Sequence, residues 1–333
     1  MDKVEKKAGF HPDPGLRLME QVREGLRYYH YAYRTEQIYC EWIDRFVKFY
    51  RDERHPREMG SLEVERFLSH LASVEQVSAS TQRQALNALE FLYDRVLLQP
   101  LAGEIAPIRA RPGQRPPAVL TVAETGALLG AMKGTHGVMA RLLYGAGLRL
   151  MECVRLRIRD VDFGQGLVYV RDGKGGGERT VPLPKRLKPA LLEHLRRVRA
   201  LHESDLAEGF GAVWLPEALS RKYPQAEREP GWQYVFPAKK RSLDPRSGRE
   251  QRHHVMESGV QKAVKVAVAR AGITKKVGCH TLRHSFATHL LESGVNIRVL
   301  QELMGHRNVK TTEMYTRVVL GNKQGITSPL DRL

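Results

Sequence analysis

Cys279-His280-Thr281-Leu282-Arg283-His284-Ser285 is the stretch on which the reading of this chain turns. It sits at the head of a helical pattern running from His280 to Tyr315, so His280 and Arg283, at i and i+3, project from one helix face. An imidazole beside a guanidinium suits chemistry on a phosphodiester, and four more positions supply the other groups that transesterification needs: Arg149, Lys174, His306 and Tyr315. Taken singly, each has an ordinary structural reading. An arginine in a helical turn usually serves the surface or a salt bridge, and a tyrosine is usually half-buried packing.

Local context narrows this. In Ala146-Gly147-Leu148-Arg149-Leu150-Met151-Glu152-Cys153, Arg149 follows a glycine turn, and Glu152 stands one helical turn on, where it can orient the guanidinium. Leu303-Met304-Gly305-His306-Arg307 precedes Thr311-Thr312-Glu313-Met314-Tyr315, which puts the tyrosine nine residues after His306. Lys174 lies in Asp172-Gly173-Lys174-Gly175-Gly176-Gly177-Glu178, between the β segments Leu167–Val170 and Thr180–Leu183. The pattern is a hairpin with a glycine-rich loop.

Working outward, Leu120 to Glu124 reads as a helix start, and Gly137 to Leu156 as an apolar helical stretch interrupted at Gly145 and Gly147. Leu187 to Leu201 and Ser258 to Ala271 are further helices. Residues 203–254 form an irregular insertion rich in Arg, Lys, Pro and aromatics. Upstream, residues 99–118 carry Pro100, Pro107, Pro112, Pro116 and Pro117 without helical period and read as a basic linker. Residues 1–98 show four amphipathic helical patterns whose exposed positions include Arg17, Arg23, Arg27, Arg34 and Lys48. The expected fold class is therefore mainly α with a small β-sheet (α+β), in two domains: an N-terminal helical unit (1–98), the linker, and a catalytic unit (119–333) carrying the insertion.

The chain of 333 residues is long enough for two cores. With 54 Lys and Arg against 37 Asp and Glu, its formal charge is +17, which favours a polyanionic partner, nucleic acid first. Its three cysteines, Cys40, Cys153 and Cys279, have no disulfide or zinc spacing. No apolar run approaches the ~18 residues of a membrane span. Met1 to Lys7 lacks the apolar core of a signal peptide. A cytoplasmic protein with no membrane partner is expected.

In order and content, the blocks around Arg149, Lys174, His280, Arg283, His306 and Tyr315 resemble the tyrosine recombinase (phage integrase) family, tightly from about Thr121 to Tyr315 and loosely over the N-terminal helices. The resemblance implies an N-terminal core-binding bundle and a catalytic domain that together clamp DNA. It also implies a role for each position. Arg149 and Arg283 clamp the scissile phosphate. Lys174 protonates the leaving 5′ oxygen; Lys185 and Lys188 stand nearby as rivals for that part. His280 hydrogen-bonds a non-bridging phosphate oxygen and helps manage the nucleophile's proton, His306 adds a further donor, and Tyr315 is the nucleophile. A 3′-phosphotyrosyl bond keeps the phosphodiester's free energy, so no cofactor and no metal are expected. The resemblance further implies a homotetramer on two DNA sites, with Val318 to Leu333 as a docking arm, and a place at the bacterial nucleoid.

The insertion looks like the additional segment of integron integrases, through Ala218 to Pro224, Trp232 to Pro237 and Arg252-His253-His254. That subfamily recombines gene cassettes at folded single-stranded attachment sites, as well as duplex sites, and flat side chains suit its extrahelical bases. Trp232, His253 and His254 are the expected base contacts, followed by Pro245, Trp214 and Tyr234, with small-core packing the alternative for Trp214 and Tyr234. The pattern departs at Glu229-Pro230-Gly231-Trp232, where a second tryptophan would precede Gly231. A duplex-specific recombinase and a DNA-binding protein without catalysis are the competing readings, with topoisomerase-like relaxation of supercoils, which shares the phosphotyrosine step, as a third.

Overall fold

In a computed structural model of the chain, the described residues are 9–51, 54–110, 118–171, 178–306, 308–309, 311–313 and 315–316. The chain divides into two compact units, Met1–Arg115 and Pro116–Leu333. Each has its own apolar core.

The first unit is helical: α1 (Leu18–Tyr28), α2 (Tyr33–Phe49), α3 (Ser61–Ser73) and α4 (Ala79–Phe91), the last continued by a π-helical turn at Leu92–Val96. Val22 and Leu26, Ile43 and Phe46, Val64, Leu68 and Leu71, and Ala85 and Leu89 recur at helical spacing and meet in one core. Ser78 caps α4, its Oγ accepting the Thr81 N–H at 3.2 Å. At the head of α3, Gly60 is the N-cap, and Glu63 accepts its N–H at 2.8 Å.

Residues 99–110, expected as linker, pack onto this unit instead. Gln82 Nε2 donates to the Ile108 carbonyl at 2.8 Å and its Oε1 accepts the Ala110 N–H at 3.0 Å. Ser69 Oγ accepts the Ile108 N–H, and Ser61 Oγ donates to the Ala102 carbonyl. An extended segment has no internal hydrogen bonds to offer, and here side chains from α3 and α4 supply them.

The second unit sets helices around a small sheet. Its elements are α5 (Val122–Ala131), α6 (Gly134–Gly145), α7 (Leu150–Val154), β1 (Val161–Asp162), β2 (Leu167–Val170), β3 (Arg179–Pro182), α8 (Lys188–Ala207), α9 (Glu217–Lys222), β4 (Ser242–Leu243), β5 (Glu250–Gln251), α10 (Glu257–Arg270), α11 (Cys279–Glu292) and α12 (Ile297–Met304). The strands β1, β2 and β3 form an antiparallel sheet in that order, with Val168 opposite Val181 on its buried face. Thr121 and Glu124 close a capping box at the head of α5. Gly147 takes φ +63°, and a Cβ there would lie 2.4 Å from the Phe286 ring, so the turn before α7 admits α11 only because it has no side chain.

The expected insertion is more ordered than its composition suggests. Its first five residues finish α8. Its return strand is tied to the core where the Val235 N–H donates to the Leu156 carbonyl at 2.7 Å and the Ile158 N–H to the Gln233 carbonyl at 3.0 Å. Val235 and Phe236 are fully buried. Asp205 on α8 takes Arg252 through both oxygens, at 2.5 and 2.7 Å, and Arg241 at 2.9 Å. Burial alone would raise this carboxyl's pKa; the two guanidinium groups more than reverse that and hold it low.

Candidate active site

Glu152 organises the site. As the third residue of α7 it accepts the N–H of the N-cap residue Arg149 at 2.8 Å, and its Oε1 takes the Arg149 guanidinium at 2.6 Å. Arg179, the first residue of β3, reaches both carboxylate oxygens, at 2.9 and 2.6 Å, and Arg283 Nη1 lies 3.8 Å away. Burial pushes the Glu152 carboxyl up, but the hydrogen bonds and charges of Arg179 and Arg149 outweigh it and leave its pKa at about 2.

The same three arginines collect the free carbonyls at the C-terminus of α12, where the helix dipole is negative. Arg179 Nε donates to the Leu303 carbonyl at 2.9 Å, Arg283 Nη2 to that of Met304, and Arg149 Nη2 to that of Gly305 at 3.2 Å. Arg283 also donates to the Gly147 carbonyl at 2.5 Å. Its burial, with Arg149 close by, brings its pKa down to about 10. Gly305 ends α12 in the left-handed conformation, φ +59°, which turns the chain towards His306.

His306 lies 3.4 Å from Arg283 Nη2 through Nε2 and 2.9 Å from Thr312 Oγ1 through Nδ1. Its ring stacks on that of Tyr315, 11° from parallel with centroids 6.3 Å apart. Tyr315 is 1% exposed, packed with Phe286, Ala287, Leu300 and Met304. Its hydroxyl hydrogen-bonds His284 Nδ1 at 2.9 Å. His280, one turn before His284 on α11, is the most open of the three histidines, its ring 6.4 Å from that of His284.

Electrostatics follow from this crowd of cations. His306 is brought down to about 4 by burial and then by Arg283, Arg149 and Arg179. His284 falls to about 4 through burial, His280 and Arg283. His280 is lowered by partial desolvation and the charges of Arg283 and Arg149. Burial raises the Tyr315 phenol, while Arg283 and Arg149 pull it back in part. The arrangement brings together three guanidinium groups, three imidazoles that are neutral at physiological pH, and a phenol, all from one subunit.

Of the residues expected from sequence, the structure gathers Arg149, Glu152, His280, Arg283, His306 and Tyr315. Lys174, in 172–177, lies outside the described residues, as does the expected docking arm from Val318 to Leu333. Among the described residues no group of three His, Cys, Asp or Glu is placed to hold a metal ion, and no helix is long and apolar enough to cross a membrane. Arg179, His284 and Thr312 were not singled out. His284 stands inside the opening motif at helical spacing from His280, which was signal enough; Arg179 and Thr312 carry none.

The insertion aromatics divide. Tyr234 does not suit base contact: it is 4% exposed, with the Arg157 guanidinium 3.7 Å over its ring and the His254 ring edge-on. The apolar run Val235-Phe236 draws it into the core, so packing decides its place. His254 is half-buried against it, its Nδ1 2.8 Å from the Val255 carbonyl. His253 is also half-buried, with Nε2 3.6 Å from Asp244 and no hydrogen bond. Trp214 is 43% exposed, Pro245 is exposed, and Trp232 is half-buried with the Arg159 guanidinium 4.1 Å over its ring. Arg157 donates to the carbonyls of both Trp232 and Trp214, each at 2.7 Å.

Comparison with known proteins fits this architecture. The family described as "Phage integrase family" matches residues 118–320, and "Phage integrase, N-terminal SAM-like domain" matches 18–102. An "Integrase/recombinase" of Escherichia coli is 48% identical over 324 residues, covering 97% of this chain and 95% of that protein. "Tyrosine recombinase XerD" of Mycobacterium leprae is 34% identical, covering 79% of each. Among solved structures, a lambda integrase dimer bound to a COC′ core site superposes with a TM-score of 0.58 at 15% identity, over 90% of this chain and 93% of that one. That likeness concerns the fold, mainly helical with small sheets in two domains. The family match spans more than half of the chain and the relatives align along most of it, so the chain belongs to the phage integrase family, the tyrosine recombinases.

Proposed function

We propose that the protein is a site-specific DNA recombinase of the integron type, which cuts and rejoins strands through a 3′-phosphotyrosyl link to Tyr315. The observation that carries this is the convergence of Arg149, Arg283, His306 and Tyr315 at the end of α12, within one subunit. A phosphate seated there meets forked donors that strengthen as the pentacoordinate transition state gains charge. Arg149 and Arg283 clamp it. His280 and His306 donate to its oxygens, and Lys174 protonates the 5′ oxygen as it leaves. The phosphotyrosyl bond conserves the energy of the broken one, so rejoining requires no cofactor and no ATP.

The charge of +17 suits a DNA partner. The integron reading rests on the insertion, which offers Trp214, Trp232, His253, His254 and Pro245 as candidate contacts for extrahelical bases of a folded single strand. Strand exchange between two sites calls for a homotetramer, acting on the cytoplasmic nucleoid to integrate and excise gene cassettes.

A nicked suicide substrate, offered as a folded hairpin and as the matching duplex, tests both levels. The native protein should form an SDS-resistant adduct that Tyr315→Phe abolishes, and Arg283→Ala should slow it by about 10²–10³-fold. Absence of an adduct from the native protein would defeat the catalytic reading. Equal reaction of hairpin and duplex would remove the integron reading alone.

A further inference from the structure

Among the described residues, the Tyr315 hydroxyl has one hydrogen-bond partner, His284 Nδ1 at 2.9 Å. We propose that His284 is a catalytic residue: its Nδ1 accepts the phenol proton of Tyr315 as the oxygen attacks phosphorus. The proposal rests on Tyr315 being the nucleophile. In the step, the Tyr315 Oη–H bond breaks and its proton passes to Nδ1. The Oη–P bond forms, the P–O5′ bond breaks with its electron pair on oxygen, and O5′ takes a proton from the general acid assigned to Lys174. On rejoining, protonated His284 returns its proton to the departing phenolate.

Geometry selects His284 over the other bases in the site. The His306 ring lies nearly parallel to that of Tyr315 with centroids 6.3 Å apart, and its two nitrogens, whose lone pairs lie in the ring plane, face Arg283 and Thr312 rather than the phenol oxygen. Glu152 is tied up by Arg149 and Arg179 and is far too acidic to accept the proton. His280 lies a turn away, towards the open side of the site.

The resting site also contains a means of delaying the reaction until substrate arrives. The charged and titratable groups around His284 and Tyr315 are His280 and Arg283 on α11, Arg149 at the head of α7, His306 after α12 and Tyr144 of α6 on the same apolar cluster, with Glu152 and Arg179 beyond them acting on Arg283. The cations outnumber the single carboxylate and, with burial, keep His284 a weak base. A DNA phosphate between Arg149 and Arg283 brings negative charge next to the imidazole, which raises its basicity where a proton has to be moved.

The test is the single-turnover rate of adduct formation on the nicked suicide substrate, across pH, in the full chain. His284→Asn retains an acceptor close to the Nδ1 position and cannot take up a proton. It should bind the substrate normally yet form adduct about 10²–10⁴-fold more slowly. The native rate should level off once His284 is neutral, whereas that of His284→Asn should keep rising towards alkaline pH, where the phenol ionises unaided. Replacing Tyr315 in His284→Asn by a difluorotyrosine, whose phenol is more acidic, should restore much of the loss; a merely structural role gives no such rescue. A His284→Asn rate within about threefold of native, or a loss that the acidified phenol does not repair, overturns the proposal. Failure of the native protein itself to form an adduct would instead overturn the assignment of Tyr315.

Discussion

Glu152 shows how far a single side chain governs this site. It is nearly buried and holds Arg149 and Arg179 in the positions from which they reach α12. Glu152→Gln leaves those guanidinium groups without their countercharge. It should cost about 3 kcal/mol of stability, read by urea unfolding, because breaking a buried pair strands the remaining charge. Its folded-state pKa of about 2 lies below its ordinary 4.5, so the stabilisation is complete above pH 4.5 and is lost as the pH falls towards 2. Unfolding stability measured between pH 5 and 2, a range set by that shift, should decline more steeply for the native protein than for the glutamine variant. His306 and His284, depressed from 6.5 to about 4, have no effect above 6.5 and cost the folded state stability as the pH falls from 6.5 to about 4, because the unfolded chain protonates them more readily. At this scale much was legible. The three-residue spacing of Arg149 and Glu152 announced their pairing, while the partners of Arg179 lie 27 residues earlier and 124 later, a convergence no local pattern encodes.

The helix α12 is the element on which the catalytic geometry depends, since three guanidinium groups from α7, β3 and α11 act together as its C-terminal cap. Gly305→Ala should therefore harm both stability and chemistry. The left-handed backbone costs an alanine about 1–2 kcal/mol, and the new Cβ would sit 3.0 Å from Arg179 Cδ and Nη1. Adduct formation and the thermal midpoint should fall together, and a native rate in this variant would show that the cap does not position the site. Gly147→Ala should be worse, because the Phe286 ring occupies the place of its Cβ. The long helices were readable from apolar spacing, which burial enforces. Two-residue strands such as β1 leave too little sequence to show alternation. Residues 99–110 were misjudged because nothing local reveals that Gln82 and Ser69 will satisfy an extended backbone.

Over the whole molecule, the excess of positive charge makes association with DNA a matter of displaced counterions. Affinity for DNA should fall linearly with salt on logarithmic axes, by about 10³-fold or more between roughly 50 and 200 mM. A flat response in a filter-binding or anisotropy titration would rule out phosphate contact as the main source of affinity. The division into Met1–Arg115 and Pro116–Leu333 fits two apolar periodic regions flanking a proline-rich stretch, though the first unit takes in more of that stretch than its composition suggests. Arg157 carries a broader consequence. One guanidinium caps Tyr234 and binds the backbone at both Trp214 and Trp232, so a single side chain fixes the two rings to the same point of the catalytic unit. Two rings pinned at one point move in concert, so a replacement of Arg157 disturbs both of them at once.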